Sequence, residues 1–367
     1  MSWELTAADL PDLARGATLL GTGGGGDPYI GKMLVERVLG AGAITILDPD
    51  DLADDLFVIP TAQMGAPTVM VEKIPAGTEP TLALRTLEDH LGRRADATMP
   101  IECGGINSMI PLIVAAETGL PVVDADGMGR AFPELSMETF AVYGVHGSPL
   151  ALAGERGERV VIDTGDDDRQ MEWLARGITI RLGGVGHIAE YAMSGADVRR
   201  TAVPRTISMA LALGRAIRLA REEHRSPFEA IAATLATTLY PHVRELCVGK
   251  VVDVERRTTE GFAKGRAVIA PLGAAEDDTF EIAFQNENLT ARRRGRLVAI
   301  VPDLICVVDH ETAEPITTEG LRYGQRVRVL GISTPAMMRT PEALAAFGPS
   351  AFGLTEEFAP VEGIAAS

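Results

Sequence analysis

Cys103 is the residue whose position in this chain most directly suggests chemistry. It follows a predicted strand at Ala97–Ile101, and Gly104-Gly105 and a predicted helix at Ser108–Glu117 come after it. Backbone N–H groups at the start of a helix lower the pKa of a thiol and can also stabilise an oxyanion. Free cysteines also pack readily in protein cores. The sequence therefore leaves two interpretations of Cys103, a nucleophile and a packing residue.

Two aspartates, Asp124 and Asp126, follow the next predicted strand, Pro121–Val123. In an extended chain their side chains point to one face, and neighbouring carboxylates raise one another's pKa, which suits general acid–base catalysis. With His146 or His187 they are also compatible with a divalent metal such as zinc, although no HxH or HExxH spacing occurs and no cofactor is certain. The alternative is that both carboxylates accept hydrogen bonds from loop N–H groups.

Other residues complete a candidate site around the stretch Pro100–Glu134, because ligands bind at the carboxyl ends of parallel strands. Glu102 and His187, the latter in a predicted glycine loop, are further catalytic candidates. Arg130, between a glycine and Phe-Pro, can hold a substrate carboxylate or pair with a neighbouring acid. The remaining substrate-binding candidates are Asn107, Asp124, Gly24, Gly25 and Glu72, the last of which can instead form a surface pair with Lys73.

The glycine run Gly21–Gly26 looks like a phosphate-binding loop but lacks the context of one. A dinucleotide fingerprint needs a strand before its glycines, whereas a predicted helix precedes these, and no Gly-Lys-Ser/Thr follows. We therefore expect a tight turn that lets the backbone approach a small ligand.

The elements around these residues indicate two kinds of architecture. Short strands alternate with amphipathic helices in the first third of the chain, which is typical of a layered α/β domain. Phe140–Tyr143 and Leu150–Ala153 also read as strands, and Pro204–Glu223 as a helix with a continuous apolar stripe. From Val248 onward, short alternating runs separated by glycines and polar turns predict a barrel or sandwich.

We therefore predict an N-terminal layered α/β domain followed by helices and a β-rich C-terminal domain. The acidic turn at Asp163–Asp168 is a plausible domain boundary. It gives an α/β domain over residues 1–165 and a mixed helical and β-rich domain over residues 166–367.

Composition restricts the partners that this chain is expected to have. With 34 basic and 51 acidic residues the net charge is −17, which argues against nucleic acid and anionic membranes as partners. No apolar run approaches the roughly 20 residues of a membrane span, and no signal peptide is recognised. Three widely spaced cysteines without a CxxC pair fit a reducing cytoplasm. We expect a cytoplasmic protein that acts on a small molecule, with a size compatible with a homo-oligomer.

Several longer motifs carry a resemblance to a known family. They are GTGGGGDPYIGK, MGAPTVMVEK, ECGGINS, DADGMGRAFPE, AVPRTISMALALGRA, VPDLICVVD and GPSAFG, in this order over nearly the whole chain. Together they resemble the S-methyl thiohydantoin desulfurase family, often described as hydantoinase-like. The resemblance implies an α/β domain joined to a β-rich domain. It also implies hydrolysis of a five-membered S-methyl thiohydantoin to a hydantoin with release of methanethiol.

Three hypotheses follow for the activity. In a covalent mechanism Cys103 attacks the sulfur-bearing carbon, Asp126 or His187 transfers protons and Arg130 holds a substrate carboxylate. In a second mechanism Asp124, Asp126 and a histidine activate water, with or without a metal. The third is a non-catalytic accessory subunit that binds hydantoins. A hydantoinase-type enzyme that opens the ring is a further alternative to desulfuration.

Overall fold

A computed structural model describes residues 2–65, 69, 76–259, 262–273 and 278–364. The helices within these ranges are α1 Leu10–Leu20, α2 Pro28–Leu39, α3 Glu79–Leu91, α4 Ile110–Thr118, α5 Thr139–Val142, α6 Asp168–Arg181, α7 Gly195–Thr201, α8 Thr206–Glu222, α9 Pro227–Leu235 and α10 Pro341–Phe347. None of these described helices combines the length and the apolar character needed to cross a bilayer.

The N-terminal part is built on one mixed sheet. Its strands are β1 Trp3–Thr6, β2 Ala43–Leu47, β3 Phe57–Gly65, β4 Ala97–Met99, β5 Val122–Val123, β7 Leu150–Ala153, β8 Arg159–Ile162 and β9 Val185–Ala189, in the spatial order β1-β2-β5-β4-β3-β9-β7-β8. A short strand, β10 Met193–Ser194, pairs with β3. The pairs β2–β5, β5–β4 and β4–β3 are parallel, whereas β3–β9 is antiparallel. The carboxyl ends of β3, β4 and β5 therefore meet at one edge, where polar loops follow.

Two further sheets complete the described part of the chain. A small antiparallel pair joins β6 Ala125–Asp126 to β11 Val203–Pro204. The C-terminal sheet is antiparallel, with strands β12 Val243–Thr259, β13 Phe262–Pro271, β14 Phe280–Gln285, β15 Glu287–Arg293, β16 Arg296–Ile300, β17 Leu304–Asp309 and β18 Arg326–Ile332 in the order β16-β15-β14-β13-β12-β18-β17. It curls into a half-barrel, so that the Asn288 side chain on β15 donates to the carbonyl of Ile305 on β17 at 2.8 Å.

Helices α1 and α8 pack unusually closely and place the glycine loop. A Cβ atom at Gly16 would lie 1.7 Å from the carbonyl oxygen of Ala210, and one at Gly214 would lie 1.7 Å from that of Asp12. Only glycine at both contacts allows the backbones to approach this far. Because α1 is fixed in this way, the loop that follows it, Gly21–Gly26, is fixed against the C-terminal sheet.

The predicted fold class is confirmed, while two local predictions are wrong. Phe140–Tyr143 does not form a strand, because Thr139–Val142 is a short helix; a brief apolar run does not distinguish the two by periodicity. His187 does not lie in a glycine loop but within strand β9, where it pairs with Gln63 of β3. Its preceding glycines, Gly183 and Gly184, form the turn.

Candidate active site

A cavity lies at the carboxyl ends of β3 and β4, where the N-terminal sheet meets the C-terminal half-barrel. Its volume is about 70 Å³. Its polar lining includes Gln63, Glu102, Asn107, Glu134 and Glu287, and Gly25 and Gly26 form part of the wall.

Glu102 is a buried carboxyl group held in a fixed orientation in this cavity. One carboxyl oxygen, Oε1, accepts a hydrogen bond from Asn107 Nδ2 at 2.7 Å, and Oε2 accepts from the backbone N–H of Phe132 at 3.3 Å. Burial, with a smaller contribution from the nearby Asp126, raises the pKa of Glu102 to about 8 in spite of the lowering effect of these hydrogen bonds. A carboxyl group with this pKa can exchange protons near neutral pH.

Asn107 is the residue that joins Glu102 to strand β3. It lies in a single 3₁₀ turn, Gly105–Ser108. Its Oδ1 accepts from the backbone N–H of Gln63 at 2.7 Å, and its Nδ2 donates to the carbonyl of Gln63 at 3.2 Å as well as to Glu102. Both ends of the amide are thus committed to the protein, which makes Asn107 a positioning residue for the carboxyl group.

Gln63 lines the cavity and carries an unpaired acceptor. Its side-chain oxygen, Oε1, is buried and has no hydrogen-bond partner within the described residues. A buried acceptor without a donor is costly, so this atom is suited to a ligand N–H group. Gln63 was absent from the sequence predictions, because nothing in the run IPTAQMG distinguishes it from a structural strand residue.

Glu287, the other fully buried carboxyl group of this cavity, comes from the C-terminal half of the chain and was also missed. It is the first residue of β15 and is 2% exposed, and its Oε2 has no partner in the described parts of the chain. Burial raises its pKa well above the usual range, Glu102 raises it further, and Arg130 lowers it. The one sequence signal was an acid inside the otherwise uncharged run FQNENLT.

The glycine loop predicted to be near the ligand does reach this cavity. A Cβ atom at Gly24 would lie 2.1 Å from Glu287 Oε1, so glycine makes room for that carboxyl group. Gly25 accepts a hydrogen bond from the N–H of Ile106 at 2.9 Å and packs against Gly104 and Gly105. The loop therefore connects the helix α1, the Glu102 segment and the C-terminal sheet.

Cys103 is placed differently from the expectation of a reactive thiolate. Its side chain is 1% exposed and belongs to an apolar cluster with the helices, and it is absent from the cavity lining. Burial, Asp126 and Glu102 all raise the pKa of its thiol, so the predicted lowering is wrong. The physical reason is that desolvation and two adjacent acids outweigh the N–H groups of a short 3₁₀ turn.

Asp124 and Asp126 are both buried but do not share one site. Asp124 Oδ1 accepts from the N–H groups of Ile207 and Ser208 at 2.9 and 3.0 Å, at the start of α8. Asp126 Oδ2 accepts from the N–H groups of Cys103 at 2.6 Å and Gly129 at 3.0 Å, and burial raises the pKa of Asp126 to about 7. These bonds match the alternative in which the aspartates tie loops together.

Arg130 is fully buried, and its guanidinium is not available to bind a substrate carboxylate. Its guanidinium donates to the backbone carbonyls of Ala131, Asn288, Pro302 and Asp303 at 3.0–3.2 Å. Instead of a substrate carboxylate or a neighbouring acid, the arginine binds backbone carbonyls and joins the Asp126 loop to the C-terminal half-barrel. An isolated sequence could not show this, because three of the four partners lie more than 150 residues away.

The two candidate histidines lie apart from the carboxyl cavity. His146 lies at the surface, 3.2 Å from Asp168, and His187 is buried in a neighbouring cavity, where desolvation lowers its pKa to about 4. No group of three His, Cys, Asp or Glu side chains within the described residues is arranged to hold a metal ion. The suggested set of Asp124, Asp126, His146 and His187 is thus not assembled. Glu72 lies outside the described residues.

Buried carboxyl groups extend beyond the cavity. Both oxygens of Glu138 and of Glu190 are buried without partners in the described part of the protein. Burial raises the pKa of each well above the usual range; Glu190 and Asp126 add to this for Glu138, and Glu172 and Asp168 for Glu190. Such groups are stable in the fold in their protonated form.

We expect the free energy of unfolding to fall as the pH rises from about 5 to about 8. A carboxyl group whose pKa is raised by folding stabilises the fold fully at pH values below its unfolded-state pKa, which is 3.8 for Asp126 and 4.5 for Glu102. This stabilisation is lost as the pH rises past about 7 for Asp126 and about 8 for Glu102. Each contributes ~1.4 kcal/mol per pH unit in its window. His187, whose folded-state pKa is lowered from 6.5 to about 4, opposes the trend only between those values.

Urea unfolding at several pH values measures this dependence. The double variant Glu138→Gln, Glu190→Gln should flatten it, because glutamine resembles the protonated acid. The exposed Glu311→Gln provides a surface control that should leave the slope unchanged. Stability that increases steadily from pH 6.5 to pH 8 would contradict protonated buried acids.

Comparisons with known proteins cover nearly the whole chain. The family model described as S-Me-THD-like, N-terminal domain, matches residues 8–164, and that described as S-Me-THD-like, C-terminal domain, matches residues 166–361. No curated protein matches the chain. The crystal structure of a protein from Chromobacterium violaceum is similar, with 26% sequence identity, a TM-score of 0.80, and coverage of 98% of this chain and 100% of that one. The chain therefore belongs to the S-methyl thiohydantoin desulfurase-like (S-Me-THD-like) family.

Proposed function

We propose that this protein hydrolyses an S-methyl thiohydantoin to the corresponding hydantoin and methanethiol, with Glu102 and Glu287 as its acid–base pair. Family membership supports the substrate class. The single observation that carries the residue assignment is that two buried carboxyl groups line one cavity from opposite halves of the chain. This pair replaces Cys103 and the aspartates in the mechanism.

The reaction needs one base and one acid. Water attacks the carbon that bears sulfur, a C–O bond forms, and the ring C=N nitrogen takes up a proton. The tetrahedral intermediate then collapses: the C–S bond breaks, the carbonyl forms, and the sulfur leaves as methanethiol with a proton. Water supplies the new oxygen and both protons, so the protein only has to move them.

The environments of the two carboxyl groups assign these roles. Glu102, with a pKa of about 8, ionises first and accepts the proton of the attacking water. Glu287, whose pKa is raised well above the usual range, stays protonated and donates to the ring nitrogen. Pairs of acids whose pKa values are separated by their surroundings divide the work in this way.

Substrate orientation falls to Gln63 in this mechanism. Its unpaired Oε1 accepts from a ring N–H, while Asn107 keeps Glu102 directed at the reacting carbon. The Asn107 amide cannot serve the substrate itself, since its Nδ2 donates to both Glu102 and the carbonyl of Gln63.

The assay that tests this proposal measures methanethiol released from an S-methyl thiohydantoin by the purified protein, with the hydantoin followed by mass spectrometry. We expect both products in equal amounts. Ring-opened product with the sulfur retained would instead indicate a hydantoinase-type activity. Hydantoin binding without either product would indicate a binding protein, and both of these outcomes would overturn the proposed reaction.

A further inference from the structure

A second cavity adjoins the proposed active site. It shares Gln63 and Ile106 with the first cavity and has a volume of about 30 Å³. Gln63 and Ile106 thus lie between the two cavities, so a group attached to a ring bound beside Glu102 has only these two side chains to pass to reach the second cavity. No step of the proposed hydrolysis uses this space.

The walls of the second cavity are mainly apolar. Ile30 and Leu34 reach it from α2, Ile110 from the start of α4, and Val185 from β9, in addition to Ile106. Apolar walls favour hydrocarbon groups by the area that they remove from water.

The polar groups of this cavity offer no positive charge within the described residues. The Glu79 carboxylate accepts hydrogen bonds from the N–H groups of Ala76 at 3.0 Å and Gly77 at 2.6 Å. Glu155 is a second acidic residue in the lining. His187 is neutral at neutral pH, because desolvation lowers its pKa to about 4. An anionic group placed here would lose its hydration and meet acids.

We propose that the second cavity binds the substituent on the tetrahedral carbon of the hydantoin ring and selects an uncharged, mainly apolar group there. This proposal rests on the proposed function and names the substrate class for the same site: S-methyl thiohydantoins with an apolar side chain.

The test compares three S-methyl thiohydantoins, unsubstituted, isobutyl-substituted and carboxyethyl-substituted at that carbon. We expect kcat/KM for the isobutyl compound to exceed that of either other compound by at least a factor on the order of ten. Leu34→Trp, which fills the cavity, should abolish this preference. Met33→Trp is the matched control on the same helix, since Met33 is 50% exposed and absent from the lining, and it should keep the preference.

Equal kcat/KM values for the three compounds, or preference for the carboxyethyl compound, would overturn the proposal. If no methanethiol forms, calorimetric binding of the three corresponding hydantoins decides it instead. Tighter binding of the isobutyl-substituted hydantoin, with this advantage lost in Leu34→Trp, would support the assignment of the second cavity while contradicting the proposed hydrolysis. Equal dissociation constants would overturn the cavity assignment as well.

Discussion

Replacing Glu102 by glutamine is expected to lower kcat/KM for an S-methyl thiohydantoin by a factor on the order of 10²–10⁴. Glutamine keeps the size of the side chain and can still contact Asn107, but it cannot accept the proton of the attacking water. The same substitution removes a buried titrating group, so the loss of activity should not come with a loss of folded protein. Methanethiol release and thermal unfolding, measured together, separate the two effects.

The pH profile gives a second readout of the same variant. Wild-type kcat/KM should rise with pH with a midpoint near pH 8, because Glu102 acts in its ionised form and its pKa is raised to about 8. The residual activity of Glu102→Gln should lack this rise. A merely structural role for Glu102 would lower activity but leave the profile in place.

The adjacent residue provides a matched control for the choice of mechanism. Cys103→Ser keeps a donor toward Asp126 at a buried position outside the cavity lining, and it should retain activity within about tenfold of wild type. Loss of activity in a folded Cys103→Ser protein, with Glu102→Gln still active, would restore the covalent mechanism and contradict the assignment to Glu102.

Arg130→Met should destabilise the fold by about 3–5 kcal/mol, the largest single-residue effect on stability that we expect. The guanidinium is fully buried and is the donor for four backbone carbonyls, on Ala131, Asn288, Pro302 and Asp303. Methionine fills much of the volume but leaves these acceptors unsatisfied. The contacts join the two halves of the chain, so the variant should also loosen the wall that carries Glu287.

Chemical unfolding at neutral pH measures this change. Arg225→Met is a suitable control, because Arg225 pairs with Glu223 at the surface, where exposed pairs contribute ~0–1 kcal/mol. A difference below about 1 kcal/mol between Arg130→Met and wild type would show that the buried hydrogen bonds are replaced by water or by other donors.

Local chemistry and periodicity were enough for the class of fold and for one side of the site. The stretch around Glu102 and the glycine loop reach the cavity because strand ends and tight turns are local properties, fixed by residues close in sequence. The alternating runs after Val248 likewise predicted the β-rich part, which is a half-barrel. These features follow from spacing and from glycine's conformational freedom.

Burial and long-range pairing decided the rest. Cys103 and Arg130 have sequence neighbours typical of reactive residues. The fold nevertheless surrounds the Cys103 thiol with apolar side chains and acids, and the Arg130 guanidinium donates to backbone carbonyls of the C-terminal half-barrel. Glu287 joins Glu102 across 185 positions of sequence, which no local pattern records. The sequence by itself determined the family, the fold class and the Glu102 segment. Only the tertiary structure decided which acids are desolvated together, because solvation and charge coupling depend on distance in space.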